Sequence, residues 1–306
     1  MSRRGWLLFS AMCLIWGIPY LLIKVAVRSI SPADLVFART AIGALLLLPI
    51  ALSRGQIRPL FARWRPLLAY SAVEIAVAWL LLSDAETHLS SSLSGLLVAA
   101  VPLVGVLIAR LTGIRERFGW VRLSGLVVGV AGVAAVVGFD VGQVTLVALL
   151  EMVVVICCYA GGPQILARYL AELPSLGVVS GSLTVCALVY APLAVAQHPS
   201  SVPPTSVIAA VLALGVVCTA LGFLVFFYLI AEVGAVRATV ITYVNPAVAV
   251  ALGVALLHET FTAGIGIGFG LVLLGSLLAT ARGRPSPVAT SQEPNPLVAE
   301  PSVTKS

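Results

Sequence analysis

Charge is what this chain has least of. Asp, Glu, Lys and Arg together make up 10% of its 306 residues, against roughly a quarter in ordinary soluble domains. Too few charges remain to coat a globule in water. Histidine is nearly absent: His88, His198 and His258 are far apart in sequence, which leaves little for the clustered acid/base or metal constellation that a membrane-embedded hydrolase would need. The five cysteines, Cys13, Cys157, Cys158, Cys186 and Cys218, lie in apolar runs without metal-ligand spacing. They read as small packing hydrophobes, and no metal or cofactor is expected. No GxxxxGK[ST] loop occurs, so ATP hydrolysis has no place to happen.

Hydrophobic residues are 60% of the chain and the mean hydropathy is +1.10. Apolar stretches recur that are long enough to cross roughly 30 Å of hydrocarbon as helices. They fall at about 6–27, 33–52, 66–84, 90–110, 118–138, 144–168, 176–197, 205–231, 236–257 and 262–281. Ten such spans leave no room for a folded soluble domain. The expectation is an all-α membrane protein whose surroundings are the lipid bilayer. The first run continues past Gly17 and Pro19 to Ala26 without a small-residue cleavage site, so it reads as a retained helix, not a signal peptide.

A formal charge of +6 invites a nucleic-acid reading, but the placement of the charges explains it otherwise. With a cytoplasmic N-terminus, Arg3, Arg4, Arg54, Arg58, Arg63, Arg65, Arg110, Arg115, Arg117, Arg122, Arg168, Arg237, Arg282, Arg284 and Lys305 all fall on one side. Lys24, Arg28 and Arg39 remain at or near the other. That is the positive-inside bias with both termini cytoplasmic. Residues 282–306, rich in Pro, Ser, Thr and Glu, read as a disordered cytoplasmic tail.

The chain also repeats itself. Gly17 is matched by Gly161, Pro19 by Pro163, Lys24 by Arg168 and Pro102 by Pro246, each 144 residues on. Glu116, Gly125 and Gly132 recur one residue closer as Glu259, Gly268 and Gly275. Each copy holds an odd number of spans, so the second must lie inverted relative to the first. The connections agree: 111–119 carries Arg115 and Arg117, whereas its counterpart 258–262 carries no Lys or Arg. The expected units are 1–141 and 142–281, each with five helices. Gly125 and Gly129 have GxxxG spacing, which reads as a close helix crossing and could also mark a dimer face.

These features resemble the drug/metabolite transporter superfamily, EamA type. The resemblance rests on ten spans in two halves, Trp16–Gly17 in the first, Arg39 in the second, and a proline followed about 14 residues on by an acidic residue opening a Gly-rich helix. It implies a multi-pass carrier of the bacterial inner membrane, commonly an exporter of amino acids, metabolites or drugs, with a central cavity between its halves. The second half departs from the first at Tyr159-Ala160, where the first has Trp16-Gly17. Secondary transport by alternating access, with a small-molecule solute and a monomer or homodimer, is therefore the expected function. A membrane-embedded enzyme such as a lipid-phosphate hydrolase is the alternative.

Transport needs a polar or aromatic site that opens to each side in turn, often beside broken helices. Gly17 with Pro19, and Gly161, Gly162 and Pro163, are the expected hinges; Pro102 and Pro246 form a second pair. Trp16, Tyr20, Trp79, Gln164, Tyr159, Tyr228, Tyr243 and Asn245 are candidates for lining the cavity. Ionisable groups within a bilayer are functional candidates by default. Glu74, midway along the third span, and Glu151, inside the sixth, are the candidate proton-coupling groups, and Glu74 is also a candidate for binding solute or pairing with Arg39. Arg39 is read as a structural pair or a snorkelling cation. Asp84, Glu86 and His88 are read as a solvated outer connection.

Overall fold

The computed structural model describes residues 1–111, 120–139, 145–197, 202–238 and 240–280. Every element among them is helical. In the first half these are α1 (Arg3–Ile15), α2 (Pro19–Ala26), α3 (Pro32–Ser53), a 3-10 turn (Arg58–Arg63), α4 (Trp64–Tyr70), a π-helical turn (Ser71–Val77), α5 (Ala78–His88), α6 (Ser91–Val98), α7 (Val101–Leu111) and α8 (Trp120–Phe139). In the second they are α9 (Leu146–Ile165), a π turn (Leu166–Leu170), α10 (Ser175–Ala196), α11 (Thr205–Ala213), a π turn (Leu214–Leu221), α12 (Gly222–Val233), α13 (Ala235–Ala238), α14 (Ile241–Leu257) and α15 (Ala263–Thr280).

Several of these join end to end into longer rods, some with a short break inside. Seven are long and apolar enough to cross a membrane: Arg3–Ala26, Pro32–Ser53, Arg58–His88, Ser91–Ile108, Leu146–Leu170, Ser175–Ala196 and Thr205–Val233. Shorter apolar helices cover Leu123–Ala135, Ile241–Leu257 and Ala263–Ala279. The boundaries follow from local chemistry. Ser2, Ser31, Ser90 and Thr145 each cap a helix by accepting a backbone N–H three residues on, satisfying a donor that the helix leaves free. Pro19 and Pro32 open α2 and α3, where a missing N–H does no harm.

The third rod runs further than its hydropathy indicates. It continues to His88 rather than stopping near 84, because Ala85 and Glu86 turn inward and are fully buried. The expected division near 141, the part of the charged connection that holds Arg115, Glu116 and Arg117, and the tail 282–306 lie outside the described residues.

Helices from the two halves of the chain interleave. α3 packs on α10, α6 on α14, α8 on α15, α5 on α9, and α1 on α12. The α8–α15 crossing is the tightest: a Cβ at Gly275 would land on the backbone of Gly129, and one at Gly125 on the backbone of Ala279. Lipid offers no hydrophobic drive between helices, so such crossings depend on backbones packing closely. The GxxxG pair is thus used inside the chain and not as a free dimer face. Gly270 and its surroundings, by contrast, are open.

Candidate functional site

The residues that the fold gathers in its interior are not quite those the sequence nominates. Arg39 sits on α3 and is 8% exposed. Its guanidinium lies over the Trp79 ring, 3.6 Å from the centroid, and its Nε donates to Thr219 Oγ1 at 2.8 Å. The snorkelling expected of Arg39 does not occur, because the Trp79 face offers the cation an attractive seat inside the protein. Small residues let α3 reach Thr219: a Cβ at Gly43 would strike Thr219, and one at Gly215 would strike Ile42.

Glu86 is the residue the sequence reading missed. It is fully buried, not part of a solvated outer connection, and neither of its carboxylate oxygens accepts a hydrogen bond. Trp79, Ser83 and Glu86 share one face of α5, and all three are buried. The available signal was that spacing, hidden because the span seemed to end before Glu86. Tyr20 on α2 and Tyr159 on α9 both lie within electrostatic reach of Arg39 and of Glu86. Lys24 is close to Glu86 but is committed elsewhere: its Nζ donates to the backbone oxygens of Glu86 and Leu89 at 2.6 and 2.7 Å, capping the C-terminal end of α5.

Glu74 occupies the π turn Ser71–Val77 and points at α9, where a Cβ on Gly162 would overlap its carboxylate. It makes no pair with Arg39, and its buried Oε2 has no hydrogen-bond partner. The turn itself is held open by α10, since Tyr190 donates to the Ala76 oxygen at 3.0 Å and Cys186 to the Ser71 oxygen at 3.5 Å. Such turns often mark functional positions. Glu151 on α9 lies near Asp84 of α5, and its buried Oε2 has no hydrogen-bond partner.

Of the expected hinges, the first is a true interruption. α1 stops at Ile15 and α2 starts at Pro19, and the lack of a side chain on Gly17 admits Val248 of α14. The second is not: α9 runs unbroken through Gly161, Gly162 and Pro163, and the irregularity comes just after, as the π turn Leu166–Leu170. Neighbouring backbone groups absorb the proline by that local adjustment. Gln164 satisfies its own helix, donating from Nε2 to the Ala160 oxygen at 3.1 Å. Pro102 follows a break between α6 and α7, while Pro246 lies inside α14.

Trp16 packs against α12, 4.6 Å from the Phe226 ring centroid and 5.8 Å from that of Phe223. Asn245 is buried with Oδ1 unpartnered, and Tyr243 is half-buried two residues away. Tyr228 is 56% exposed, so it does not join this interior set. A cleft of about 370 Å³ between α3, α10 and α11 is lined by apolar side chains and Asp34. None of the candidate site residues borders it.

At one end of the bundle, Glu259 caps α6. Its carboxylate accepts from the backbone N–H and hydroxyl of Ser91 at 2.7 and 2.9 Å and from the backbone N–H of Ser92 at 2.9 Å, with the Ser92 hydroxyl as a fourth donor. Burial alone would raise its pKa, but these hydrogen bonds outweigh it and hold the carboxyl below its ordinary value. His258, in left-handed backbone conformation (φ 56°), turns the chain so that Glu259 can reach.

Comparison with known proteins follows the same outline. The model of the EamA-like transporter family matches residues 3–138 and again residues 145–281. The chain is 29% identical over 280 residues to the uncharacterized inner membrane transporter YedA of Escherichia coli, covering 88% of each. It is 27% identical to a probable terminal-alkyne amino-acid exporter of Streptantibioticus cattleyicolor, over 92% of this chain and 95% of that one. An uncharacterized transporter of Archaeoglobus fulgidus is 24% identical over 89% of this chain and 97% of its own. One crystal structure superposes with a TM-score of 0.65 at 21% identity, covering 92% of this chain and 97% of the other, a likeness of fold.

Proposed function

Because the chain belongs to the EamA-like transporter family, a family of membrane transporters and not of enzymes, we propose that it is a secondary transporter exporting a small polar solute by alternating access across a bacterial inner membrane. The observation that carries this reading is the interior cluster of Arg39, Trp79, Glu86, Tyr20, Tyr159 and Thr219. It draws α2, α3 and α5 from one half and α9 and the π turn Leu214–Leu221 from the other, which is where a solute held between moving halves would sit.

Two five-helix units of opposite orientation are the proposed architecture. The separate family matches to 3–138 and 145–281 support it. So do the π turns: Ser71–Val77 and Leu214–Leu221 stand at the repeat offset of 144 residues. End contacts also sort as that arrangement requires. Ser31 meets Gln197 at 2.9 Å and Ser91 meets Glu259 on the side assigned outside. Ser2 meets Glu232, and Arg63 meets Glu172 at 3.8 Å, on the cytoplasmic side assigned to both termini. One chain supplies both halves, so a monomer suffices.

Glu74, next to Gly162 on the opposite half, is the proposed coupling group. Proteoliposomes given a pH gradient and a radiolabelled amino-acid mixture provide the test. Label should move vectorially, and Glu74→Gln should lower the gradient-driven component at least tenfold while the protein remains folded. Chemical turnover without movement would instead favour an enzyme, and undiminished pH-driven movement in Glu74→Gln would remove Glu74 from the coupling role.

A further inference from the structure

We infer that the short segment joining α3 to α4 is a binding site for an anionic phospholipid of the cytoplasmic leaflet, with Arg58 and Arg65 holding the phosphate and Phe61 and Trp64 lying against the apolar part. The inference stands apart from the solute and its movement. It takes from the transport reading only the side of the membrane on which this segment lies.

Residues Arg58–Arg63 form a 3-10 turn that leads directly into α4 at Trp64, and in such a turn residues three apart share a face. Ile57 and Leu60 therefore fall on one face, and Arg58, Phe61 and Trp64 on another. The first face is turned inward: Leu60 is buried in a cluster with Leu67, Tyr70 and Leu170, and it fits there because Gly181 on α10 has no Cβ to strike its side chain. The second is turned out. Phe61 is 73% and Trp64 52% exposed, and Arg58 and Arg65 are exposed with them. The Arg65 guanidinium lies 5.2 Å from the Trp64 ring centroid, so charge and ring stand together. From Arg58 to Trp64 the face is roughly 12 Å long, at about 2 Å per residue.

Topology alone asks for positive charge on this side of the membrane. It does not ask that two arginines share one exposed face with two aromatic rings. Among the described residues neither Arg58 nor Arg65 has an acidic partner, whereas Arg63, between them, is matched by Glu172 at 3.8 Å. The face is thus cationic and apolar at once, which complements a ligand carrying a phosphate beside hydrocarbon. A soluble phosphate would suit the arginines but leave Phe61 and Trp64 in water. A zwitterionic lipid would bring a cation of its own against the arginines. The same pattern continues on the other half of the chain: α4 packs on the π turn Leu166–Leu170, where Arg168 lies 5.4 Å from the ring centroid of Tyr169, itself 46% exposed.

The experiment is native mass spectrometry of the purified full chain in detergent, with phosphatidylglycerol and phosphatidylcholine of identical acyl chains added in competition. Phosphatidylglycerol should be retained in preference by about tenfold or more, the scale expected of two arginines at an anionic surface. The preference should shrink as ammonium acetate approaches about 1 M, where the screening length is only about 3 Å. Arg58→Gln with Arg65→Gln should remove it while phosphatidylcholine is retained as before. Phe61→Ala with Trp64→Ala should weaken retention of both lipids. Arg3→Gln with Arg4→Gln, an equal loss of charge at the exposed N-terminus, should leave the ratio unchanged. Equal retention of the two lipids by the unaltered chain overturns the proposal, as does a preference that survives loss of Arg58 and Arg65 or falls equally with Arg3 and Arg4. Displacement of phosphatidylglycerol by inorganic phosphate would also overturn it, in favour of a soluble anion. Should the Arg58 and Arg65 double variant fail to fold, Arg65→Gln alone decides, with a drop of about threefold or more expected and an unchanged ratio counting against the site. Lipid preference without solute flux in proteoliposomes sinks the transport reading and leaves this one, and flux without lipid preference does the reverse.

Discussion

Arg39 and Glu259 keep their charges by different means. Arg39 has one hydrogen bond and an aromatic face, which leaves part of its capacity unspent in the interior. Glu259, outside the membrane-spanning helices, is saturated by four donors at the start of α6, where the helix dipole also favours an anion. This predicts a pH effect with a definite sign. The folded pKa of Glu259 is depressed relative to the ordinary carboxylate value of about 4.3, so its contribution is present above that value and is lost as pH falls through the folded pKa. Glu259→Gln should lower stability by about 1 kcal/mol at neutral pH, the scale of hydrogen bonds to a charged group at a half-exposed site. Thermal unfolding should show the gap between the two proteins closing as pH drops below about 4. A gap that persists unchanged at low pH would mean that the charge is not what Glu259 contributes.

At the scale of elements, how a helix is interrupted matters more than whether a proline is present. Pro19 stands at a break and Pro163 does not, although the repeat equates them. The π turns, which carry Glu74 and Thr219, contain no proline at all. Close crossings are similarly selective. Gly275 faces the backbone of Gly129, which cannot move aside, while Gly270 faces open space. Gly275→Ala should therefore separate α15 from α8 at a cost of about 1–3 kcal/mol, the usual penalty for overpacking. Gly270→Ala should be neutral or slightly stabilising, since alanine favours a helix over glycine by roughly 0.8–1 kcal/mol. Unfolding temperatures of the two variants check this, and equal effects would show that the crossing tolerates a methyl group.

At the scale of the whole molecule, the proposed inversion makes equivalent positions face opposite compartments. Ser53 and Gln197 stand 144 residues apart, each just at a helix end and exposed. In a background lacking the exposed Cys157, a membrane-impermeant maleimide should label Gln197→Cys in intact cells and Ser53→Cys only after permeabilisation. Labelling of both from the same side would exclude two oppositely oriented units.

Much of this arrangement is legible in the sequence because it depends on quantities that add along the chain. Hydropathy summed over some twenty residues identifies membrane helices, the scarcity of charge excludes a soluble surface, and serines and prolines mark helix starts. The family resemblance read from Trp16–Gly17, Arg39 and the spacing of the spans agrees with the family to which the chain belongs. The interior of the site depended on something else. Glu86 is buried because α5 extends past Asp84 and turns that face inward, Arg39 is retained because Trp79 lies beneath it, and Tyr228 faces out although its neighbours face in. Such outcomes are set by which helix packs on which, across separations such as the 180 residues between Arg39 and Thr219. The sequence by itself determined a helical membrane transporter; only the tertiary structure decided which of its few charges remain unpaired, because pairing requires distance in space and not in sequence.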